Sequence, residues 1–195
     1  MAITFNTADV KFSLRNRIAL RGFIKSQIQK FENSETRKLN LSFVFCSDEY
    51  LLNINRQFLQ HDYYTDIITF PLSDSEEELE AEIYISVDRV RENAGKFKEQ
   101  RAKLKRQKAK GKEQNLKSKE DFNGELNRVI FHGVLHLLGF KDKSRANQLE
   151  MREMEDEWLK RFNSKTQKAK SKNLKPRDKE QTEKTARPKK QRAKK

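Results

Sequence analysis

The chain has 195 residues and a single cysteine, Cys46, so an internal disulfide is impossible. Cys46 ends the run Leu41-Ser42-Phe43-Val44-Phe45, where a buried and reduced thiol is expected. No apolar stretch approaches the ~18 residues needed to cross a bilayer. The opening Met1-Ala2-Ile3-Thr4-Phe5-Asn6 lacks the basic start and long apolar centre of an export signal. No membrane association and a cytoplasmic location are therefore expected. There is no Walker-type glycine loop, which argues against nucleotide hydrolysis, and no Ser or Thr sits in a pattern suited to nucleophilic catalysis. Histidine is scarce, with three in the chain, and two of these stand four residues apart.

Acidic residues are scarce in two segments. Residues 96–120 hold eleven Lys/Arg against three acids, and residues 164–195 hold fourteen against three. The formal charge of +14 therefore leaves about −5 on the other 138 residues. The body is mildly acidic, and the basicity sits in an insertion and a tail. Such blocks repel themselves, stay solvated and suit a polyanion, so both are expected to contact nucleic-acid phosphates. The chain divides accordingly into a domain over residues 1–163, carrying the insertion 96–120, and a disordered basic tail over 164–195.

Within the body, Ile3 and Phe5 alternate as a short strand. Apolar residues at Phe12, Leu14, Ile18, Leu20, Phe23, Ile24 and Ile28 recur at roughly helical spacing, predicting a helix from Val10 to Phe31. Leu39, Leu41, Phe43 and Phe45 predict one face of a strand ending at Cys46, with Val44 and Cys46 on the other face. Ser47 and Asp48 cap a helix through Leu59 bearing Leu51, Leu52, Ile54 and Phe58. Strands near Asp66–Leu72 and Glu80–Val87 flank the acidic loop Ser73–Glu78 as a hairpin. A helix starts near Asp88, with Val90 and Ala94. The insertion has almost no apolar face and is interrupted at Gly111, so it is an exposed arm or a loop. A buried helix over about Asn123 to Leu138 and a last one capped by Ser144, with Leu149, Met154, Trp158 and Phe162 packing back, complete the domain. The expected class is α+β: a small mixed sheet with about five helices.

The chemistry concentrates in His132-Gly133-Val134-Leu135-His136-Leu137-Leu138-Gly139-Phe140-Lys141-Asp142. An i, i+4 pair lies on one helix face, so both imidazoles can reach one metal ion. Such a pair also suits two core histidines bonded to backbone. Gly139, three residues on, can end the helix in a left-handed turn, and Asp142 can then close the same face as a third ligand. Two imidazoles and a carboxylate leave one position open on a tetrahedral metal, the arrangement of catalytic sites. Zinc peptidases with this spacing carry Glu directly after the first histidine, but here that position is Gly133. His61-Asp62 are sequence neighbours whose side chains need not face each other, and Thr65-Asp66 reads first as a cap or turn into the next strand.

This segment resembles the His-Gly-x-Leu-His-Leu-x-Gly-Tyr-Asp-His signature of the YbeY family of zinc-dependent, single-strand-specific endoribonucleases. Phe140 stands for the tyrosine, Lys141 for the aspartate and Asp142 for the third histidine. The segment from Asn55 to Pro71 resembles the family's Asn-x-x-Tyr-Arg-x-x-Asp-x-x-Thr-Asp-Val-Leu-Ser-Phe-Pro block, and Ala81-Glu82-Ile83-Tyr84-Ile85-Ser86 resembles its Gly-Asp-Ile-x-Ile-Ser strand. The likeness runs from about Leu39 to Phe162. It implies one zinc ion per chain on His132, His136 and Asp142, cleavage of ribosomal RNA in maturation of the 16S 3′ end and in ribosome quality control, and ribosomal particles as partners. The family's arginine falls on Leu59, with Arg56 one helical turn away as a candidate replacement. The same departures leave a second reading, an RNA-binding ribosome-assembly factor with weakened catalysis. A zinc metallopeptidase is a third, opposed by Gly133.

Overall fold

The computed structural model describes residues 2–32, 37–75, 77–96 and 118–173. Four strands, β1 (Ala2–Thr7), β2 (Lys38–Cys46), β3 (Ile67–Asp74) and β4 (Glu78–Ser86), form one sheet in the order β1-β2-β4-β3. β1, β2 and β4 run parallel, and β3 returns antiparallel on β4. Parallel neighbours need a crossover; α1 (Arg17–Phe31) supplies the one between β1 and β2. Between β2 and β4 run α2 (Asp48–Leu59) and β3. The remaining helices are α3 (residues 87–96), α4 (Ser118–Leu137) and α5 (Arg145–Asn173). Among the described residues this is an α+β fold with five helices, and His132 and His136 lie on α4.

The two-residue period of the strands decides what each sheet face buries. Leu39, Leu41, Phe43 and Phe45 pair in register with Leu79, Ala81, Ile83 and Ile85, and all eight are buried. Onto that face pack Leu20, Phe23, Ile24 and Ile28 of α1, Val129, Ile130, Val134 and Leu135 of α4, and Met151, Trp158 and Phe162 of α5. Phe23, Phe131, Trp158 and Phe162 form a cluster with ring centres 5.2–6.0 Å apart. Each such pair adds about 0.5–1.5 kcal/mol to the area buried. The opposite face holds a smaller cluster of Cys46, Leu51 and Ile68 under α2. Cys46 is buried there as expected, and burial, with the charges of Asp9, Asp48 and Asp88, pushes its thiol pKa up to about 12. The Ser47 hydroxyl caps α2 by accepting from the Tyr50 amide.

The structure departs from the sequence reading in three places. The first helix starts at Arg17, not Val10: Asn16 sits in the left-handed region at φ 58°, which a helix interior excludes. Phe12 lies before that break and packs its ring against Phe45 and Phe122, whereas Ile18 is 86% exposed. In α5 the buried stripe runs through Met151, Trp158 and Phe162, and Leu149, two positions off it, is 56% exposed. Helix α5 also continues to Asn173, ten residues past the boundary at 163 where order was expected to end. The rest of the tail, 174–195, and most of the insertion, with Gly111, lie outside the described residues.

Candidate metal centre

His132 and His136 face one direction from α4 because the opposite side of that helix, Ile130, Phe131, Val134 and Leu135, is committed to the core. Gly133 sets how closely the helix approaches the sheet. A Cβ there would lie 2.6 Å from Ile67 Cδ1 and 3.2 Å from both Ile83 Cγ2 and Thr69 Oγ1. A glutamate at this position would drive into the sheet, so the peptidase general base has no room.

Two residues past α4 the chain reverses. Gly139 adopts φ 88°, its amide bonds to the His136 carbonyl at 3.0 Å, and the Phe140 amide reaches the Leu135 carbonyl at 3.1 Å. This is the paired hydrogen bonding of a glycine-terminated helix. The turn also returns the Phe140 carbonyl to His136, which donates from Nδ1 at 2.9 Å. His132 Nδ1 meets Glu155 Oε1 of α5 at 2.8 Å. Glu155 is 6% exposed and is held in turn by Arg128, which also binds Asp156.

These outer contacts fix the inner ones. A carbonyl can only accept, so the proton of neutral His136 is on Nδ1, and Glu155, paired with Arg128, places that of His132 likewise. Both Nε2 atoms then carry lone pairs, and they face each other at 3.0 Å. Asp142 Oδ2 stands 3.9 Å from one and 3.8 Å from the other. With both rings neutral, three electron-pair donors converge and repel one another unless a proton or a metal cation sits among them. Ligands about 2.0–2.1 Å from a tetrahedral zinc are about 3.3 Å apart, close to the spacing found. The donor set thus fits a divalent metal, and His132, His136 and Asp142 could hold one. The surroundings also favour positive charge. Burial lowers the His132 pKa, but the hydrogen bond and charge of Glu155, with the charges of Asp66 and Asp142, raise it overall above the usual imidazole value.

The centre opens onto a cleft of about 560 Å³ whose far wall includes Leu59, His61, Tyr63, Thr65, Asp66 and Thr69. A second cavity of about 630 Å³ shares Asp66, Ile67, His132 and Asp142 with it and extends to Arg128 and Arg152. Asp66, where the sequence suggested a turn, faces both cavities. Burial pushes its carboxyl pKa up, against the opposing effects of its backbone hydrogen bond and of His132, and Asn93 donates to it at 3.2 Å. Arg56 is not among the lining residues: its Nε is bound by Asp62 Oδ1 at 2.6 Å on an exposed surface. His61 and Asp62 point to different partners, as their adjacency suggested. Among the described residues that line the first cleft there is no Lys or Arg.

Glu155 escaped the sequence reading. The signal was present, because positions 151, 155, 158 and 162 form one core-facing helical stripe and an acid on such a stripe needs a partner.

The model of the Endoribonuclease YbeY family matches residues 3–163. The chain belongs to the YbeY family. Relatives carrying the name Endoribonuclease YbeY include that of Flavobacterium psychrophilum, 40% identical over 163 residues, 84% of this chain and 98% of the relative. That of Cytophaga hutchinsonii is 40% identical over 154 residues, 79% and 91% of the two chains. That of Parabacteroides distasonis is 35% identical over 159 residues, 82% and 94%. The YbeY match takes in both walls of the cleft with His132, His136 and Asp142, and it ends within α5, ten residues before that helix does.

Proposed function

We propose that this chain is a metal-dependent endoribonuclease that cleaves single-stranded RNA, with one zinc ion held by His132, His136 and Asp142. The observation that carries this reading is the pair of Nε2 atoms aimed at each other 3.0 Å apart, with the Asp142 carboxylate beside them. When bound, a metal there would acidify a coordinated water and polarise a phosphoryl oxygen. The protein's own groups do the rest. Glu155 and the Phe140 carbonyl hold both imidazoles in the ligating tautomer. Asp66, positioned by Asn93, offers a carboxylate at the junction of the two cavities as an acceptor for a substrate hydroxyl. No step is assigned to Arg56, which Asp62 occupies.

The family membership supports ribosomal RNA as substrate: maturation of the 16S 3′ end and ribosome quality control, on ribosomal particles in the cytoplasm. The basic segments 96–120 and 164–195 support a capture role, each phosphate contact contributing a salt slope of about −0.7 for single strands. Deleting 174–195 should flatten the salt dependence of RNA binding and leave bound metal unchanged.

The second reading, an assembly factor that binds RNA with weakened catalysis, draws on Leu59 at the cleft wall and on the lack of Lys or Arg along it among the described residues. A metallopeptidase is disfavoured by the packing at Gly133. One experiment separates the three: metal content and turnover of single-stranded RNA, its DNA analogue and casein, for wild type and His136→Ala. Cleavage of RNA that vanishes with the metal supports the nuclease. RNA binding without cleavage supports the assembly factor, and casein turnover the peptidase.

A further inference from the structure

The loop between α2 and β3 presents two rings to the cleft and anchors nearly everything else. Gln60 turns the chain at φ 57°, and the amide of His61 bonds back to the Asn55 carbonyl at 3.2 Å. Asn55, buried at the end of α2, donates from Nδ2 to the Tyr63 carbonyl at 2.8 Å. Asp62 is taken by Arg56, and Tyr64 by Glu49 at 2.5 Å and by the Arg89 guanidinium, 5.0 Å from its ring centre. His61 and Tyr63 are different. Their rings stack at 5.1 Å and 23°, the Tyr63 hydroxyl meets His61 Nδ1 at 3.1 Å, and their side chains have no other hydrogen-bond or ring partner among the described residues. Both line the cleft that holds the metal ligands, and Tyr63 is 57% exposed. The two rings contribute nothing to the core, yet a buried asparagine fixes the backbone that carries them.

We propose that the His61–Tyr63 stack is a platform for an unpaired nucleobase next to the scissile phosphate. The proposal rests on the endoribonuclease reading and names how that site selects its substrate. Among the described residues no Lys or Arg lines this cleft, and Arg128 and Arg152 line the adjoining cavity instead, so the recognition surfaces along this cleft are the candidate metal site and the aromatic faces. A base engaged in a duplex has its faces already covered, so a stacking platform admits single strands and is tolerant of sequence. The fixed loop supports this by removing the ordering cost that a mobile aromatic side chain would add on binding.

The test uses the full-length chain and a single-stranded oligoribonucleotide carrying 2-aminopurine, whose fluorescence falls when it stacks. Wild type should quench the probe. Tyr63→Ala should bind about tenfold more weakly, within the range for one lost base–aromatic stack, with little quenching, while Tyr63→Phe keeps both. His61→Ala should fall between them, and metal content should be equal in all four proteins. In cleavage assays Tyr63→Ala should raise KM for single-stranded RNA. Equal affinity and quenching in Tyr63→Ala and wild type would overturn the proposal. So would a loss in Tyr63→Phe as large as in Tyr63→Ala, because the hydroxyl and not the ring face would then be the contact. If wild type quenches the probe but cleaves nothing, the hydrolytic reading fails and the platform stands. If it cleaves and the alanine variants quench normally, the platform fails and hydrolysis stands.

Discussion

On the α4–α5 wall of the cleft, each histidine is held through Nδ1, one by the Phe140 carbonyl and one by a buried glutamate that itself grips Arg128. The facing wall, from Leu59 to Thr69, presents the rings of His61 and Tyr63, bonded to each other and otherwise open, beside apolar side chains and the Asp66 carboxylate. One wall fixes electron pairs at defined points and would tolerate little displacement with a metal bound, since a metal bond varies by only a few tenths of an ångström. The other offers flat surface, for which position matters less than exposure. On the proposed reading, metal binding falls to a packed helix pair and strand selection to a pinned loop, with Asp66 at their junction.

The division is broken most severely from the helix side. Glu155→Ala removes the partner of His132 Nδ1 and leaves Arg128 to Asp156, and should weaken metal binding by about 10–100-fold. Competition with a chelator measures this, and the aromatic cluster should keep the fold cooperative. Gly133→Ala places a methyl 2.6 Å from Ile67 Cδ1, so the helix or Ile67 must move; we expect a loss of about 1–3 kcal/mol in denaturant unfolding. If stability is unchanged, the helix is not indexed to the sheet as closely as described.

Protons sharpen the comparison further. His132 has a raised pKa in the metal-free fold, after the lowering effect of burial is outweighed by Glu155, Asp66 and Asp142. Its imidazolium therefore stabilises the metal-free protein fully below the unfolded value of about 6.5, and this is lost as pH rises through the higher folded value. Metal binding has the opposite sign, since it needs the neutral ring. The increase in Tm on adding zinc should shrink as pH falls through that raised value. Glu155→Gln should move the onset of this loss to lower pH. The smallest effect belongs to Arg56→Ala, whose exposed pair with Asp62 should be worth about 0–1 kcal/mol and whose removal should leave bound metal unchanged.

The histidine face was legible in the sequence because a helix repeats every 3.6 residues and a glycine that ends one is conspicuous. The sheet was legible for a similar reason: alternation along Leu39–Phe45 admits one register toward the core. The start of α1 was not, because Phe12 and Leu14 continue an apolar spacing that looks helical across a left-handed Asn16, and periodicity carries no information on φ. Glu155 was legible as an acid on a core-facing stripe, but its partner was not, since only the packing of α5 on α4 brings it to His132, 23 residues away. Arg56 was a candidate by helical proximity to Leu59, and its engagement with Asp62 depends on a loop path that sequence spacing does not give.

The reversal at Gly139 couples two events usually treated apart. The Phe140 carbonyl that orients His136 is in place only when the last turn of α4 has closed, so an unwound helix end is also a lost tautomer. Metal affinity would then act as a gauge of fraying at that terminus. Agents that loosen helix ends without unfolding the core should release metal before any change in the aromatic cluster. Bound metal, reciprocally, should slow amide exchange at Gly139 and Phe140 more than at Leu20 or Ile24, which lie far along the chain in the core.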